Sequence, residues 1–309
     1  MDYTPLEGLK IYKLKFVCQA KTLLHQGPFW GSALHGVLGQ SLKQMLCLNG
    51  TKKCDACPEK ASCSYQRIFH PAMPQGHPHQ RKYADMPQPF IIQKDMFDKV
   101  VFLPGDQFSF GFNLVGSAIN DFKHFCEAFI HAGKTGMGRM VSKFDVIQIL
   151  CDPGGNDEFL PLGYGDLPKP VNHAAMVFPK NIPSAKLCFV TPLHLKEQGI
   201  VVDKPSFQLL LHRLYERQVL LNHFYCDGDI PENVNFGSPE IETRHQLQSY
   251  PFARFSNRHE KLLKLSGLLG NISLSGNMDK YIPLLFSGSL VNVGKMATLG
   301  LGQYRLCYG

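Results

Sequence analysis

Alternating and helically spaced apolar positions divide the chain into two runs that repeat one order of elements. Residues 10–18, KIYKLKFVC, put Tyr12, Leu14, Phe16 and Cys18 on one face and lysines on the other, the pattern of a half-buried strand. FWGSALHGVLGQSLKQMLC follows as a helix that ends at a cysteine. After a long loop, QFSFGFNLVG alternates Phe108, Phe110, Phe112 and Leu114 with small or polar residues, a second clear strand. AINDFKHFCEAFIHAG spaces Ile119, Phe122, Cys126 and Phe129 as a helix does and predicts a stop at Gly133. GKTGMGRMVSKFDVIQIL then supplies a glycine-rich turn and a closing strand.

The second run repeats the order. AKLCFVTPLHLK reads as a strand and SFQLLLHRLYERQVLLNHFYC as a long amphipathic helix. KLLKLSGLLGNISLSG reads as strands joined by glycines, and a helix over roughly Tyr281 to Leu290 follows with Pro283 in its first turn. The closing VGKMATLGLGQYRL echoes GKTGMG of the first run. Both runs give strand–helix–strand–strand–helix–strand, the split βαβ order. The expected fold is therefore α+β, two tandem ferredoxin-like domains over 1–160 and 161–309, with a cysteine-rich metal-binding insert at about 47–90 in the first. The Gly-, Pro- and Asp-rich stretch 151–173 marks the join.

Composition narrows the class. Hydrophobic residues make up 44% of the 309 and charged ones 18%, which suits a folded domain pair and excludes a disordered chain. The N-terminal MDYTPLEGLKIYKLKF has no apolar signal core, and no apolar run is long enough to span a bilayer, so the expectation is a cytoplasmic protein with no membrane partner. A formal charge of +7 favours a polyanionic partner without requiring one.

Four of the ten cysteines, Cys47, Cys54, Cys57 and Cys63, fall within 17 residues as C-x6-C-x2-C-x5-C. In a reducing compartment these thiolates are enough to close a tetrahedral structural zinc site; an iron–sulfur cluster or free thiols are the alternatives. His70, His77 and His79 of the adjoining Pro-rich loop are either extra ligands or solvent-facing. The glycine stretch near the C-terminus fails as a nucleotide cradle. Five residues, not four, separate Gly288 from Gly294, Met296 follows Lys295 where Ser or Thr would hold magnesium, and the order is helix–loop–strand. Two readings stay open: a tight turn needing positive φ, or backbone amides and Lys295 offered to an RNA phosphate.

VNVGKMATLGLGQYRL resembles the G-x-G-K-x-T-x-x-G-x-G-x-Y ending of the CRISPR-associated repeat RNA-processing endoribonucleases ("Cas six") of the RAMP superfamily. FVTPLHLK is similar to the strand that opens that family's second domain, and LYERQVLLNHFY to the helix after it. FARFSNRHEKLLKLSGLLG resembles its basic strand and glycine turn, FWGSALHGVLGQSLKQMLC its first helix, and CDACPEKASCSYQRIFHP the cysteine-bearing insert of one branch. The resemblance implies CRISPR repeat RNA as partner, with other CRISPR effector-complex subunits as further partners. It implies metal-independent cleavage in which a ribose 2′-OH attacks the adjacent phosphorus, leaving a 2′,3′-cyclic phosphate.

On that resemblance a histidine on or before the first helix serves as general base or acid. His35 is the first choice and His25 the second, although His35 also fits as the replacement of a structural or RNA-contacting arginine. Lys43 either stabilises the phosphorane or is a solvated helix residue. RNA contacts fall to Gly294, Lys295, Gly300 and Gly302, to Arg254, Arg258, His259 and Lys261 of the basic stretch, and to Arg217 and Arg213 of the long helix. Trp30 reads as a core residue. A non-catalytic RNA-binding subunit of the same fold, or a zinc-dependent interaction module, are the competing readings.

Overall fold

The computed structural model describes residues 8–50, 54–78, 86–96, 99–163, 165–171, 176–231, 236–237, 240–256 and 261–309. The first alternating run forms two strands, β1 (Ile11–Tyr12) and β2 (Leu14–Ala20). They part at Lys13, which is buried instead of facing water, with Nζ 2.8 Å from Asp152 and 2.7 Å from Asp157. A lysine leaves water only where carboxylates neutralise it, a condition no local alternation reveals.

After the short β3 (Leu24–His25) comes α1 (Gly31–Leu46), which stops one residue before Cys47. The insert carries a 3₁₀ turn (Cys54–Ala56) and α2 (Ser64–Phe69). Then follow β4 (Phe90–Gln93), β5 (Val101–Phe102), β6 (Gln107–Val115), α3 (Phe122–Thr135), β7 (Phe144–Cys151) and β8 (Leu160–Pro161). α3 runs beyond Gly133 to Thr135, contrary to the expected stop. Gly133 lies inside the helix, where a Cβ would strike the Phe144 carbonyl, so the missing side chain brings α3 onto β7. The four main strands pair in the order β7-β2-β6-β4, all antiparallel. That is fourth–first–third–second, the ferredoxin-like order.

The second half holds β9 (Ser184–Leu193), a small hairpin of β10 (Lys196–Glu197) and β11 (Ile200–Val201), α4 (Phe207–Cys226), β12 (Glu242–Ser256), β13 (Lys261–Ser275), α5 (Ile282–Val291) and β14 (Tyr304–Tyr308). Its sheet order, β12-β13-β9-β14, is again fourth–first–third–second read from the other edge. The chain is thus a tandem pair of ferredoxin-like units. β12 was not expected, and Gly267 and Gly270 lie within one long β13 rather than joining shorter strands. β12 is an edge strand whose half-buried face mixes Thr243 and His245 with Leu247, so its alternation is weak in apolar residues.

Each unit has its own core. Phe16, Phe110, Phe112 and Phe129 interlock in the first, with Phe16–Phe129 centroids 4.8 Å apart and Phe16–Phe110 5.4 Å apart. Trp30, 1% exposed, is a core residue as expected. A third cluster joins the units: Leu9, Ile11, Ile91 and Val115 pack with Leu221, Leu290 and Val291 across the seam. Among the described residues no helix is long and apolar enough to cross a membrane.

Candidate nucleic-acid interface

The glycine loop begins where α5 ends. Asn292 takes φ +60°, Gly294 +91°, Met296 +58°, Gly300 +95° and Gly302 +65°, with a 3₁₀ turn at Ala297–Leu299 between them. At Gly302 a Cβ would fall on the Val293 carbonyl, so glycine is required there on both steric and conformational grounds. Several loop amides are spent inside the turn: Lys295 N–H donates to the His194 carbonyl (2.9 Å), Gly300 N–H to Ala297 (3.0 Å) and Gly302 N–H to Pro192 (3.0 Å). The reading in which these amides face a phosphate is corrected, because closing helix to strand already uses them. The exposed side chain of Lys295 remains outward. Asn292 donates to the Ala297 carbonyl (3.1 Å) and accepts from Gln93 of β4 (3.1 Å), tying the loop to the first unit.

Beside the loop runs a groove of about 860 Å³. Its walls are the loop from Gly294 to Leu299, the α4 face bearing Arg213, Glu216 and Arg217, the turn around Lys196 and Gly199, and residues 86–88 of the first unit. Arg217 is the unusual member. Its Nε donates to the Val291 carbonyl (2.8 Å), while its Nη2 is sealed from solvent with no hydrogen-bond partner among the described residues. Burial draws its pKa down to about 10, still far above neutrality. Arg213 is neutralised by Glu216 (2.9 Å) and also donates to the Lys196 carbonyl (3.2 Å).

Segment 86–88 is held from both units: Tyr225 Oη of α4 donates to the Pro87 carbonyl (2.7 Å), and Gln88 Nε2 donates to the Phe69 carbonyl. The start of α1 also meets the loop here, since a Cβ on Gly31 would strike the Leu299 carbonyl. The structure therefore brings together Lys295, Arg217, Arg213 and the N-terminus of the first helix.

The candidate histidines stand apart from this groove. His35 is half-buried, its ring 4.5 Å from that of Phe69 and 5.9 Å from that of Phe90, and its Nε2 lies 3.1 Å from Gln88 Oε1. Because the Gln88 amide nitrogen is committed to the Phe69 carbonyl, its oxygen faces the imidazole, and His35 Nε2 is the donor. Gln88 lines the groove; His35 lies behind it. His25 is exposed on β3, paired with Val101, and Lys43 is half-buried on α1; neither lines the groove.

Cys47, Cys54, Cys57 and Cys63 are all free and half-buried, and Cys54 and Cys63 pack on the first core. Cys47, Cys54 and Cys63 lie within electrostatic reach of Tyr65, whose pKa burial, followed by these thiols, pushes up to about 12. Among the described residues no three His, Cys, Asp or Glu side chains are arranged to hold one metal ion. A metal would have to draw these thiols together.

Arg258 and His259 lie outside the described residues, as do the side chains of Arg254 and Lys261. Their hairpin does approach the first helix, with the Phe252 and Phe29 rings 5.8 Å apart. A second groove of about 910 Å³ opens between the first sheet, α5 and β14, lined by Lys13 and Lys15 beside Phe159 and by Lys94 and Arg305. Lys15 Nζ sits 3.6 Å over the Phe159 ring, and burial lowers its pKa. The sequence pattern did not distinguish Gln88, Asn292 or Glu216, which become site residues only through contacts between distant segments.

Residues 187–304 match the family described as CRISPR-associated endoribonuclease Cas6, and residues 9–162 match one described as AF_1859_N, N-terminal domain. A relative from Archaeoglobus fulgidus, described as an uncharacterized protein, is 23% identical over 294 residues, 91% of this chain and 93% of its own. Among solved structures, a partial Cas6-RT-Cas1–Cas2 complex aligns with 97% of this chain at TM-score 0.57 and 14% identity, and this chain spans 46% of that one. A Cas6 product complex aligns with 96% at TM-score 0.53 and 14% identity, covering 99% of that chain. Thermus thermophilus Cas6 aligns with 97% at TM-score 0.52 and 11% identity, also covering 99% of its chain. At these identities the likeness is one of fold.

Proposed function

From a chain whose second ferredoxin-like unit is a domain of the CRISPR-associated endoribonuclease Cas6 family, we propose that it binds CRISPR repeat RNA in the groove beside the glycine loop and processes it by metal-independent cleavage. The observation that carries the reading is Arg217: on the groove wall, a charged guanidinium nitrogen with no hydrogen-bond partner among the described residues, next to the exposed Lys295. Leaving such a group unpaired is costly, and a phosphate oxygen supplies the missing acceptor once the side chain turns toward the groove. In the reaction, a 2′-OH loses its proton and its oxygen bonds to the neighbouring phosphorus. The P–O5′ bond then breaks, leaving a 2′,3′-cyclic phosphate and a 5′-hydroxyl. Arg217 and Lys295 offset the charge that builds on the phosphoryl oxygens. The 2′-OH proton passes to water, and His35, once its ring takes up a second proton from solvent, gives the Nε2 proton to the departing O5′ after a movement of Gln88 exposes it.

The test is incubation with the cognate repeat RNA in EDTA, followed by analysis of the ends. A cyclic phosphate, lost in His35→Ala with RNA binding retained, supports the reading. Binding without cleavage under any condition overturns the catalytic part. A second reading, an RNA-binding subunit that does not cut, is favoured by the position of His35 behind Gln88 and predicts that outcome. Association with other CRISPR subunits belongs to both readings and is tested by co-purification. Zinc on Cys47, Cys54, Cys57 and Cys63 is proposed from the donor set, as a structural ion remote from the chemistry. Purified protein containing neither zinc nor iron overturns it.

A further inference from the structure

The Pro-rich loop of the insert meets the long helix of the second unit through two histidines. His77 Nε2 lies 3.1 Å from His223 Nε2. His223 Nδ1 is 2.7 Å from the Gly228 carbonyl, which can only accept, so Nδ1 carries the hydrogen and the neutral ring turns its Nε2 lone pair toward His77. One proton is then shared between two nitrogens that face each other. We propose that this pair is a binding site for a divalent late transition metal, with the ion replacing that proton and joining the insert to α4.

Three features support the assignment. With metal–nitrogen bonds of about 2.0–2.1 Å, a 3.1 Å separation puts the ion off the N···N line at an N–metal–N angle of roughly 100°, between the square and tetrahedral values, and a tilt of the two rings aims both lone pairs at it. The Gly228 carbonyl already orients His223 through its second nitrogen, as outer partners of metal-bound imidazoles do. Both rings are half-buried, so solvent reaches the site and water completes the coordination. Imidazole donors select zinc, copper and nickel over calcium and magnesium. Among the described residues no third His, Cys, Asp or Glu joins the pair, which makes this a weaker site than a closed structural one. It is separate from the four-cysteine segment, and its consequence is structural: the ion fastens the segment after α2 to the second unit.

The experiment is calorimetric titration of the full chain with nickel chloride and, separately, zinc chloride, using the wild type, His77→Gln, His223→Gln and the control His70→Gln. The expected result is a binding step, besides any uptake by the cysteines, that weakens by more than roughly tenfold in either of the first two variants and is unchanged in the control. Because all four cysteines are intact throughout, any binding they contribute is common to every titration. Identical isotherms in all four proteins overturn the proposal. Hydrogen exchange gives a second readout that does not depend on the variants. Zinc is expected to slow exchange around residue 77 and at the C-terminal end of α4 together, and no change at either place overturns the proposal as well.

Discussion

Arg217 shows how one residue can be costly to the fold and useful to the site. Its guanidinium gives up water, gains a hydrogen bond at Val291, and leaves Nη2 without a partner among the described residues. Replacing it by Met removes a desolvated charge along with that bond, so Arg217→Met is expected to change stability by no more than about 1 kcal/mol. RNA affinity should nevertheless fall about tenfold, with the log–log salt slope shallower by about one. Thermal melts and filter binding at several salt concentrations check both halves. The same charge could be read off the helix in the sequence; its isolation could not, because that depends on the Val291 carbonyl and the loop closing over it.

At the scale of elements, the glycine loop is a rigid connector whose backbone bonds are largely internal. Gly302→Ala introduces both a disfavoured φ and a clash with the Val293 carbonyl, and should destabilise the protein by about 1–3 kcal/mol in urea unfolding. The start of β9 gives a pH-dependent counterpart. Asp279 accepts from Ile182 N–H (2.8 Å) and Asn181 N–H (2.9 Å), which hold its pKa below the ordinary carboxylate value. Its stabilisation is present above the ordinary carboxylate pKa and is lost as pH falls through the lowered folded value. Asp279→Asn should therefore melt below the wild type at pH 7 and converge with it as the pH drops toward that value. Elements with a buried face, such as Gln107–Val115, were legible from alternation. The edge strand Glu242–Ser256 was not, since its half-buried face carries Thr243 and His245 beside Leu247 and so alternates only weakly in apolar residues.

For the whole molecule, the site exists only because two units close on each other. The loop of the second unit rests on Gly31 of the first, Asn292 bonds Gln93, and Tyr225 holds Pro87. Cations line both grooves, Lys295 and Arg217 in one and Lys15 in the other, where Lys13 and Arg305 are already paired with Asp152 and Asp95. Repeat RNA affinity should accordingly fall linearly with salt on log–log axes. A slope corresponding to two or more released counterions is expected, at about 0.7 per phosphate contact for single strands, and a salt-independent affinity would rule out a phosphate-led interface.

The sequence by itself determined the doubled strand–helix order, the glycine turn, the cysteine segment and the basic stretches, because periodicity and local backbone demands are written in neighbouring residues. Tertiary structure decided the rest. It buried Lys13 against Asp152, set His35 behind Gln88, spent the loop amides on His194, Ala297 and Pro192, and brought His77 to His223. Each of these outcomes joins the residue to a group elsewhere in the fold, in most cases on a distant segment. Desolvation and hydrogen-bond partnership belong to the contact, and no local pattern encodes it.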